Sequence, residues 1–366
     1  MGDKEFYMKL ALQLAEAVVG QTSPNPAVGC VVAKNGKVIG MGAHLKAGEA
    51  HAEVNALKQA GDEAEGADLY VTLEPCSHTG KTPPCADLII EKKIKRVYIA
   101  GLDPNPMVAG NGVVKLQNAG IRVEHGICEQ QAKELNKYYY HFMKTRKPFV
   151  TLKTAVTFDG KTAASSGDSK WITSEQSRLD VHHYRHRHDA ILTGINTVIH
   201  DNPHLTTRLP QGGKNPIRIV LDTYLKIPLE ANLLNDKETP TIIVCGTQAS
   251  QEKLIAIEKK GARVKKMPSD TIELDDLLVW LGEENFLSVF VEGGGSVHSS
   301  FVEAGCFQEI VMYMAPKLIN DKKSVQAFAG IPKQWMKEAA SLRFTSVEQI
   351  GPDIKITAVP LEREGI

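Results

Sequence analysis

The sequence predicts an α/β protein in two halves, and three observations carry that reading. The chain has 366 residues, more than most single cores accommodate. Short apolar runs alternate with amphipathic segments, the pattern of strands and helices layered on a sheet. Near residue 146 the basic run Lys144-Thr145-Arg146-Lys147 meets Pro148, which ends one helical pattern before a new strand begins. The boundary is therefore placed at 146, giving domains 1–146 and 147–366, with the basic run read as a solvated linker.

Taken in order, residues 4–18 carry apolar side chains at helical spacing with few breakers and predict a helix. The apolar runs 27–32 and 38–41 flank Asn35-Gly36, and an Asn-Gly pair in that setting signals a hairpin. Next come a helix over 51–59, a strand over 68–73, a helix over 85–92, a strand over 96–100, a helix over 113–118 and a strand over 121–124. One long helix over 129–144 closes the first half. Strands alternating with helices after a hairpin imply a mixed sheet covered on both faces. The second half restarts with a strand over 149–153, and further strands are read at 217–221, 241–245, 288–292 and 309–314. Between Val291 and Phe301 a glycine-rich turn leaves a strand and enters a helix. No internal repeat or low-complexity segment is present.

Lys plus Arg number 43 and Asp plus Glu number 43, so no overall field attracts a polyanion, and nucleic-acid binding is not expected. The charged N-terminus lacks the apolar core of a signal peptide, and no run is long enough to span a bilayer. A cytoplasmic enzyme is expected, acting on a small molecule without nucleic acid or membrane and forming a homo-oligomer. In a reducing compartment the six cysteines are a poor disulfide framework. Cys76 and Cys85 stand beside prolines and are read as metal ligands; Cys30, Cys128, Cys245 and Cys306 are read as small core residues.

His51-Ala52-Glu53, then Glu74-Pro75-Cys76 and Pro84-Cys85, place one imidazole and two thiolates at the disposal of a tetrahedral Zn²⁺. Structural zinc sites fill four positions, whereas a catalytic site keeps one for water, whose pKa the ion lowers toward about 7. Helix N-termini stabilise thiolates, and Pro75 and Pro84 fix the backbone ahead of each cysteine. Glu53, two residues beyond its neighbouring ligand, is the candidate proton shuttle, as in zinc-dependent nucleobase deaminases. Those enzymes commonly space the cysteines as Cys-x-x-Cys; here Ser77 to Pro84 intervene, including His78 and Lys81. Two rivals are a cytidine or tRNA-adenosine deaminase with an accessory domain, and a zinc-stabilised binding protein. The cysteine spacing and neutral charge oppose the first; Glu53, idle in a structural site, opposes the second.

The segments Asn25-Pro26-x-Val28-Gly29, Gly42-x-His44, His51-Ala52-Glu53 and Thr72 through Cys85 resemble the bifunctional riboflavin-biosynthesis deaminase–reductase family. In that family the long cysteine spacing is normal, and the resemblance runs through essentially the whole chain. It implies a cytidine-deaminase-like α/β/α sandwich with a mixed sheet in the first half. It also implies a diaminopyrimidinone ribosylamine 5′-phosphate as the substrate deaminated. Carried over, Asn25, His44 and Lys81 are candidates for holding pyrimidine, ribose and phosphate, and Lys81 is the natural phosphate partner. For His44 a purely structural role competes.

In the second half, Gly293-Gly294-Gly295 has the form of a phosphate cradle, because glycines let the backbone approach a pyrophosphate and the following helix aims N–H groups at it. It is not Gly-x-Gly-x-x-Gly and it lies late in the chain, which points away from a Rossmann fold. Lys153-Thr154-Ala155 with Asp159-Gly160-Lys161, the run 167–173, Gly194 through Thr197 with Asp201 through Arg208, and Val291 through Gly294 resemble the reductase half of the same family. That likeness implies a dihydrofolate-reductase-like α/β domain using NADPH. By the resemblance, Ala155, Trp171, Thr197, Asp201, Thr223 and the loop Gly294, Gly295, Ser296, Val297, His298, Ser299 and Ser300 contact the dinucleotide. Ser169, Arg185, Leu205, Arg208 and Glu292 contact the sugar phosphate, for which guanidinium forks are apt. The reduction adds hydride at the former anomeric carbon and leaves a ribityl chain. It needs a cation or donor near the developing amine or alkoxide, for which Lys153 is the candidate. Asp201 is a candidate for orienting the ribose or relaying a proton. Salt bridging competes for both residues, and core anchoring competes for Trp171. In the run His182 through His188 helical spacing spreads the imidazoles over several faces, so no second metal site is expected there. Arg185 is the only member of that run read as functional.

Overall fold

The computed structural model describes residues 2–77, 83–105 and 109–361. The polypeptide separates into two compact units, Met1–Arg146 and Lys147–Ile366, each built around its own sheet. The first unit runs α1 (Gly2–Glu16), β1 (Gly29–Lys34), β2 (Lys37–Ala43), α2 (Ala52–Ala60), β3 (Asp68–Leu73), α3 (Cys85–Glu91), β4 (Arg96–Gly101), α4 (Asn111–Asn118), β5 (Arg122–His125), α5 (Glu129–Leu135) and α6 (Lys137–Thr145). Asn35 and Gly36 turn the β1–β2 hairpin with φ of 51° and 76°, the left-handed pair that such a turn requires.

The sheet order is β2-β1-β3-β4-β5; β1 is antiparallel to β2 and β3, whereas β3, β4 and β5 are parallel. Alternation along the strands sets the layers. Cys30, Val32, Leu69, Val71, Val97 and Ile99 face one core with Ala56 and Leu57 of α2, Ile89 of α3 and Leu116 of α4. Val31, Ala33, Tyr70 and Tyr98 face the other core with Tyr7, Met8 and Ala11 of α1 and Ala132 of α5. Helices therefore cover both faces of a mixed sheet, as expected.

Two sequence expectations need correction here. The single helix over 129–144 breaks at Asn136, whose backbone leaves helical geometry (φ −108°, ψ 25°). Its side chain is the reason. Asn136 accepts the N–H of Ala27 at 2.8 Å and donates to the Ala27 carbonyl at 2.9 Å, satisfying a buried loop that has no strand partner. Among the cysteines, all free thiols, Cys30 and Cys245 are buried core residues but Cys128 and Cys306 are only half-buried.

The second unit runs β6 (Phe149–Thr157), β7 (Lys161–Ala163), α7 (Glu175–Arg187), β8 (Ala190–Gly194), α8 (Ile195–Asp201), β9 (Ile217–Leu221), α9 (Asn232–Asn235), β10 (Thr241–Cys245), α10 (Gln251–Lys259), β11 (Arg263–Lys266), α11 (Leu274–Glu283), β12 (Ser288–Val291), α12 (Gly295–Ala304), β13 (Glu309–Ala315), β14 (Val325–Gln326), β15 (Leu342–Ile350) and β16 (Asp353–Pro360). Its main sheet is ordered β11-β10-β9-β8-β12-β6-β13-β16-β15, parallel from β11 to β13 and antiparallel through β16 and β15. A separate ribbon pairs β7 with β14. Ile219, Val244, Val289 and Leu152 pack with Leu277 and Leu281 of α11 and Phe301 of α12. The neighbouring residues Val220, Ile243 and Phe290 pack on the opposite face with Val181 of α7, Val198 of α8 and Ile257 of α10. Burial on both faces explains why these strands read as continuous apolar runs rather than alternating ones. Among the described residues no helix is long and apolar enough to cross a membrane.

In the first unit α2 lies against β2 almost backbone to backbone. A Cβ added at Gly42 would sit 2.4 Å from the Ala52 carbonyl oxygen and 2.7 Å from the Ala56 nitrogen; one at Gly40 would sit 2.2 Å from the Ala56 oxygen. No side chain can yield there, because the obstacle is backbone. Gly42→Ala is expected to destabilise the protein by about 1–3 kcal/mol, as overpacked cores do, and to weaken metal binding by displacing the start of α2. Thermal melts and zinc titration of the variant check this, and an unchanged melting temperature would refute the close-approach argument.

Candidate active sites

In the first unit, three elements meet at the sheet's end. His51 stands in extended backbone immediately before α2, Cys76 follows β3, and Cys85 is the first residue of α3. His51 Nδ1 lies 3.3 Å from Cys85 Sγ and 3.6 Å from Cys76 Sγ, and the three atoms all fall within 4.8 Å of one another. A tetrahedral ion with bonds of about 2.1 Å to nitrogen and about 2.3 Å to sulfur separates its ligands by about 3.6 Å, so this donor set fits zinc in both spacing and chemistry. It is the one such group of His, Cys, Asp and Glu among the described residues. The Cys85 thiol and backbone N–H (3.3 Å) and His51 converge on Cys76 Sγ and hold its thiol well below the ordinary range. The contact with Cys76 in turn raises His51.

Glu53, in the first turn of α2, is only 3% exposed. Burial lifts its carboxyl to about 7, against the opposing pull of a backbone hydrogen bond and of His51. His44 is buried beside His51, its ring edge-on to it at 5.3 Å between centroids. Its Nδ1 lies 3.1 Å from the Ala50 carbonyl and so carries the proton, leaving Nε2 to accept from Asn25 Nδ2 at 3.0 Å. The structure thus brings Asn25, His44, His51, Cys76, Cys85 and Glu53 together. Lys81 and His78 lie outside the described residues.

Glu74 opens the Glu74-Pro75-Cys76 segment. It is buried and accepts the backbone N–H groups of Asp103 (3.3 Å), Gly110 (3.0 Å), Gly112 (2.9 Å) and Val113 (3.2 Å). One carboxylate thereby ties the segment bearing Cys76 to the N-terminus of α4. The signal was available: an acidic residue directly after an apolar buried strand needs several donors.

In the second unit the expected residues gather at the carboxyl ends of neighbouring strands. Lys153 and Ala155 are two apart on β6, which runs on to Thr157 rather than ending at 153, and so share a face. Glu292 follows β12; its side chain, 11% exposed, receives Arg185 Nε at 2.6 Å, Arg185 Nη2 at 3.1 Å and Lys153 Nζ at 3.5 Å. Burial works to raise the Glu292 carboxyl, but the two cations prevail and hold it at about 2. Arg185 also donates to the Thr206 carbonyl at 2.8 Å, fastening α7 to the segment that carries Leu205 and Arg208. Leu205 has left-handed backbone (φ 53°) and is buried in the core. Arg208 is exposed. The fully buried Arg218, unnoticed in the sequence, anchors the same segment: it donates to the carbonyls of His204, Asp236 and Thr239, to Thr241 Oγ1 and to Asp236 Oδ2.

Of the glycine-rich turn, Gly293 and Gly295 are dictated by the protein's own packing: a Cβ would stand 2.8 Å from Val297 Cβ in one case and 2.6 Å from the Gln326 oxygen in the other. A Cβ at Gly294 would meet only Thr197 Oγ1, at 3.7 Å, so Gly294 and Thr197 border one open crevice. Gly294, Gly295, Ser296 and Val297 form the first turn of α12, where N–H groups lack helical acceptors and suit a phosphate. His298 donates its N–H within the helix to Gly294, and the side chains of His298 and Ser299 turn inward, unlike the exposed Ser300. Thr223 lies just past β9, and Asp201 is exposed at the end of α8. Trp171, 63% exposed, is not a core anchor; it sits under the Arg178 guanidinium at 4.4 Å, near Ser169 in the 164–174 loop. Among the histidines, His186 Nδ1 accepts from Lys214 N at 2.9 Å, and His188 hydrogen-bonds to the Tyr184 carbonyl and Thr151.

Residues 148–356 match the family described as RibD C-terminal domain, and residues 1–101 match the cytidine and deoxycytidylate deaminase zinc-binding region. The chain is 53% identical to the riboflavin biosynthesis protein RibD of Bacillus amyloliquefaciens, over 98% of this chain and 96% of that protein. It is 39% identical to RibD of Escherichia coli (strain K12), over 96% and 97%. The solved structure of Acinetobacter baumannii RibD aligns with a TM-score of 0.89 at 38% identity, covering 98% and 99%. That of a diaminohydroxyphosphoribosylaminopyrimidine deaminase/5-amino-6-(5-phosphoribosylamino)uracil reductase from Thermotoga maritima aligns at 0.86 with 36% identity, covering 98% and 99%.

The Glu292 carboxyl is depressed from an ordinary 4.5 to about 2 in the folded protein, so its charge stabilises the fold above pH 4.5 and that contribution drains away as pH falls toward 2. The melting temperatures of wild type and Glu292→Gln should therefore differ most near neutrality and converge on acidification. A gap that stays constant from pH 7 to pH 3.5 would show that the ionised carboxylate is not what holds Arg185 and Lys153.

Proposed function

The chain belongs to the RibD family of riboflavin-biosynthesis proteins, and from that premise we propose which side chains carry each of its two activities. The protein is a zinc-dependent deaminase joined to an NADPH-dependent reductase. The cytidine or tRNA-adenosine deaminase alternative finds no support, since its relatives match across both halves. We assign deamination to residues 1–146 and reduction to residues 147–366. The substrates are those named for the Thermotoga relative: a diaminopyrimidinone ribosylamine 5′-phosphate, then 5-amino-6-(5-phosphoribosylamino)uracil.

His51, Cys76 and Cys85 hold the zinc, which when bound supplies a water of lowered pKa. Glu53 would carry one proton of the attacking water to the ring nitrogen, and then the proton of the new hydroxyl to the amino group as the carbonyl forms and the C–N bond breaks, one carboxylate serving as base and acid. Asn25 and His44, locked to each other and beside His51, orient the pyrimidine and ribose, and Lys81 takes the phosphate. The observation that carries this reading is the trio of ligand atoms at tetrahedral spacing with a buried carboxylate two residues along.

In the reductase, NADPH supplies the hydride. Thr197, the first turn of α12, Ala155, Trp171, Asp201 and Thr223 bind and orient the dinucleotide. Ser169, Arg185, the Leu205 backbone, Arg208 and Glu292 receive the sugar phosphate. Lys153, kept at the site by Glu292, gives a proton to the developing amine or alkoxide. We place the enzyme in the cytoplasm, where reducing conditions keep Cys76 and Cys85 available to the metal.

Zinc-loaded enzyme given the diaminopyrimidinone substrate should release ammonia without NADPH, and should oxidise NADPH only after that release. Glu53→Gln should retain zinc yet lose about 10²–10⁴-fold in ammonia release. A variant that deaminates normally would remove Glu53 from the mechanism.

A homo-oligomer is the assembly we favour, with a second copy covering the outer edge of the second sheet. The edge strand β15 exposes Phe344 (69%) and Val347, and the segment before it exposes Trp335 and Met336 (88%) beside a groove of about 430 Å³ lined by Val302, Phe307, Phe328 and Ile331. Unpaired strand edges carrying apolar side chains invite pairing. Sedimentation should give a dimer or larger species that Phe344→Asp with Val347→Lys dissociates; a wild-type monomer at micromolar concentration would refute it.

A further inference from the structure

His182 has no assigned task, yet it stands inside the reductase site. It lies on α7 three residues before Arg185, a spacing that puts both side chains on one helical face. Its Nδ1 accepts the backbone N–H of Arg208 at 3.3 Å, joining α7 to the substrate segment. In the neutral imidazole the proton then resides on Nε2, and that N–H has no hydrogen-bond partner among the described residues.

The charged groups around it come from every neighbouring element. Arg185 is on its own helix, Arg208 on the following segment, Lys153 on β6 and Glu292 at the end of β12, three cations against one carboxylate. Burial and the nearby cations push His182 down to about 4, so it is neutral at working pH. A second proton would also have to displace the Arg208 N–H from Nδ1. His182 is therefore an uncharged donor with a fixed tautomer, set in a surplus of positive charge, with its N–H unused. That is the chemistry of an anion-binding position rather than of an acid.

We propose that His182 is a further substrate-binding residue of the reductase, its Nε2–H donating to the phosphate of the phosphoribosyl substrate alongside Arg208. The proposal rests on the assignment of Arg185 and Arg208 to that phosphate, and it adds a rigid donor where the guanidinium of Arg208 is exposed and long. Because Nδ1 simultaneously fixes the Arg208 backbone, one imidazole both shapes the phosphate pocket and contacts its occupant.

The test uses the full-length protein with ribose 5-phosphate and inorganic phosphate as probes and ribose as the phosphate-free control. With ¹⁵N-histidine labelling, the His182 Nε2 resonance should shift on adding ribose 5-phosphate or phosphate and not on adding ribose. His182→Phe should raise the reductase KM, and the Kd for ribose 5-phosphate, by about tenfold, the effect of losing one good hydrogen bond to a charged group. Its kcat and NADPH affinity should stay within a factor of about three, well under that tenfold step. His182→Gln, which retains an N–H donor, should recover most of the binding. An Nε2 signal unmoved by saturating ribose 5-phosphate, or a His182→Phe variant that binds it like wild type, overturns the proposal. Arg208→Ala run in parallel separates the two layers. If it loses phosphate binding while His182→Phe does not, the pocket stands and His182 is no part of it. If neither loses binding, the phosphate pocket itself is misplaced.

Discussion

A strand that lies parallel to its predecessor cannot be reached by a tight turn; the chain must cross over the sheet, usually as a helix. Every such crossover leaves a strand's carboxyl end facing a helix N-terminus, whose first N–H groups have no partners within the helix. Both sites of this protein occupy those handovers. In the first unit the path from β3 to α3 places Cys76 and Cys85, and the start of α2 adds His51 and Glu53. In the second, β8 passes into α8 and β12 into α12, and because β12 lies between β8 and β6, Thr197, Gly294, Glu292 and Lys153 are drawn into one region despite their separation in the chain.

The two sites treat a buried carboxylate in opposite ways. Glu53 is surrounded by apolar structure and thiols, so burial dominates and its proton affinity rises to about 7. Glu292 is buried too, but Arg185 and Lys153 lie against it, and their charge outweighs desolvation and drives it to about 2. One environment suits a group that must gain and lose a proton, and the other suits a permanent anion that keeps two cations in place. The residue type is the same; the neighbours decide its work.

Much of the site was legible in the chain. The cluster of His51, Cys76 and Cys85 could be read as a candidate donor set because metal chemistry limits the residue types, and the Asn35-Gly36 hairpin could be named because few pairs tolerate its backbone. The failures are equally physical. The break at Asn136 depends on Ala27, more than a hundred residues earlier. The glycine-rich turn carries a further constraint that its pattern does not show, since a Cβ at Gly293 would strike Val297 and one at Gly295 the distant Gln326 carbonyl oxygen. Glu74, Arg218 and His182 carry no role in the sequence because such polar side chains are defined by their partners, and those partners lie on other segments of the chain.

The sequence by itself determined the α/β class, the division near residue 146 and a candidate His-Cys-Cys donor set with a carboxylate two residues along, since these follow from periodicity, backbone preference and ligand chemistry read over short windows. Only the tertiary structure decided which groups meet: that Asn25 locks His44 beside His51, that Arg185 and Lys153 share one carboxylate, and that His182 joins them. Such pairings depend on strand order and on the crossing of elements, which bring together atoms that the linear order keeps apart, and distance in space sets the electrostatics.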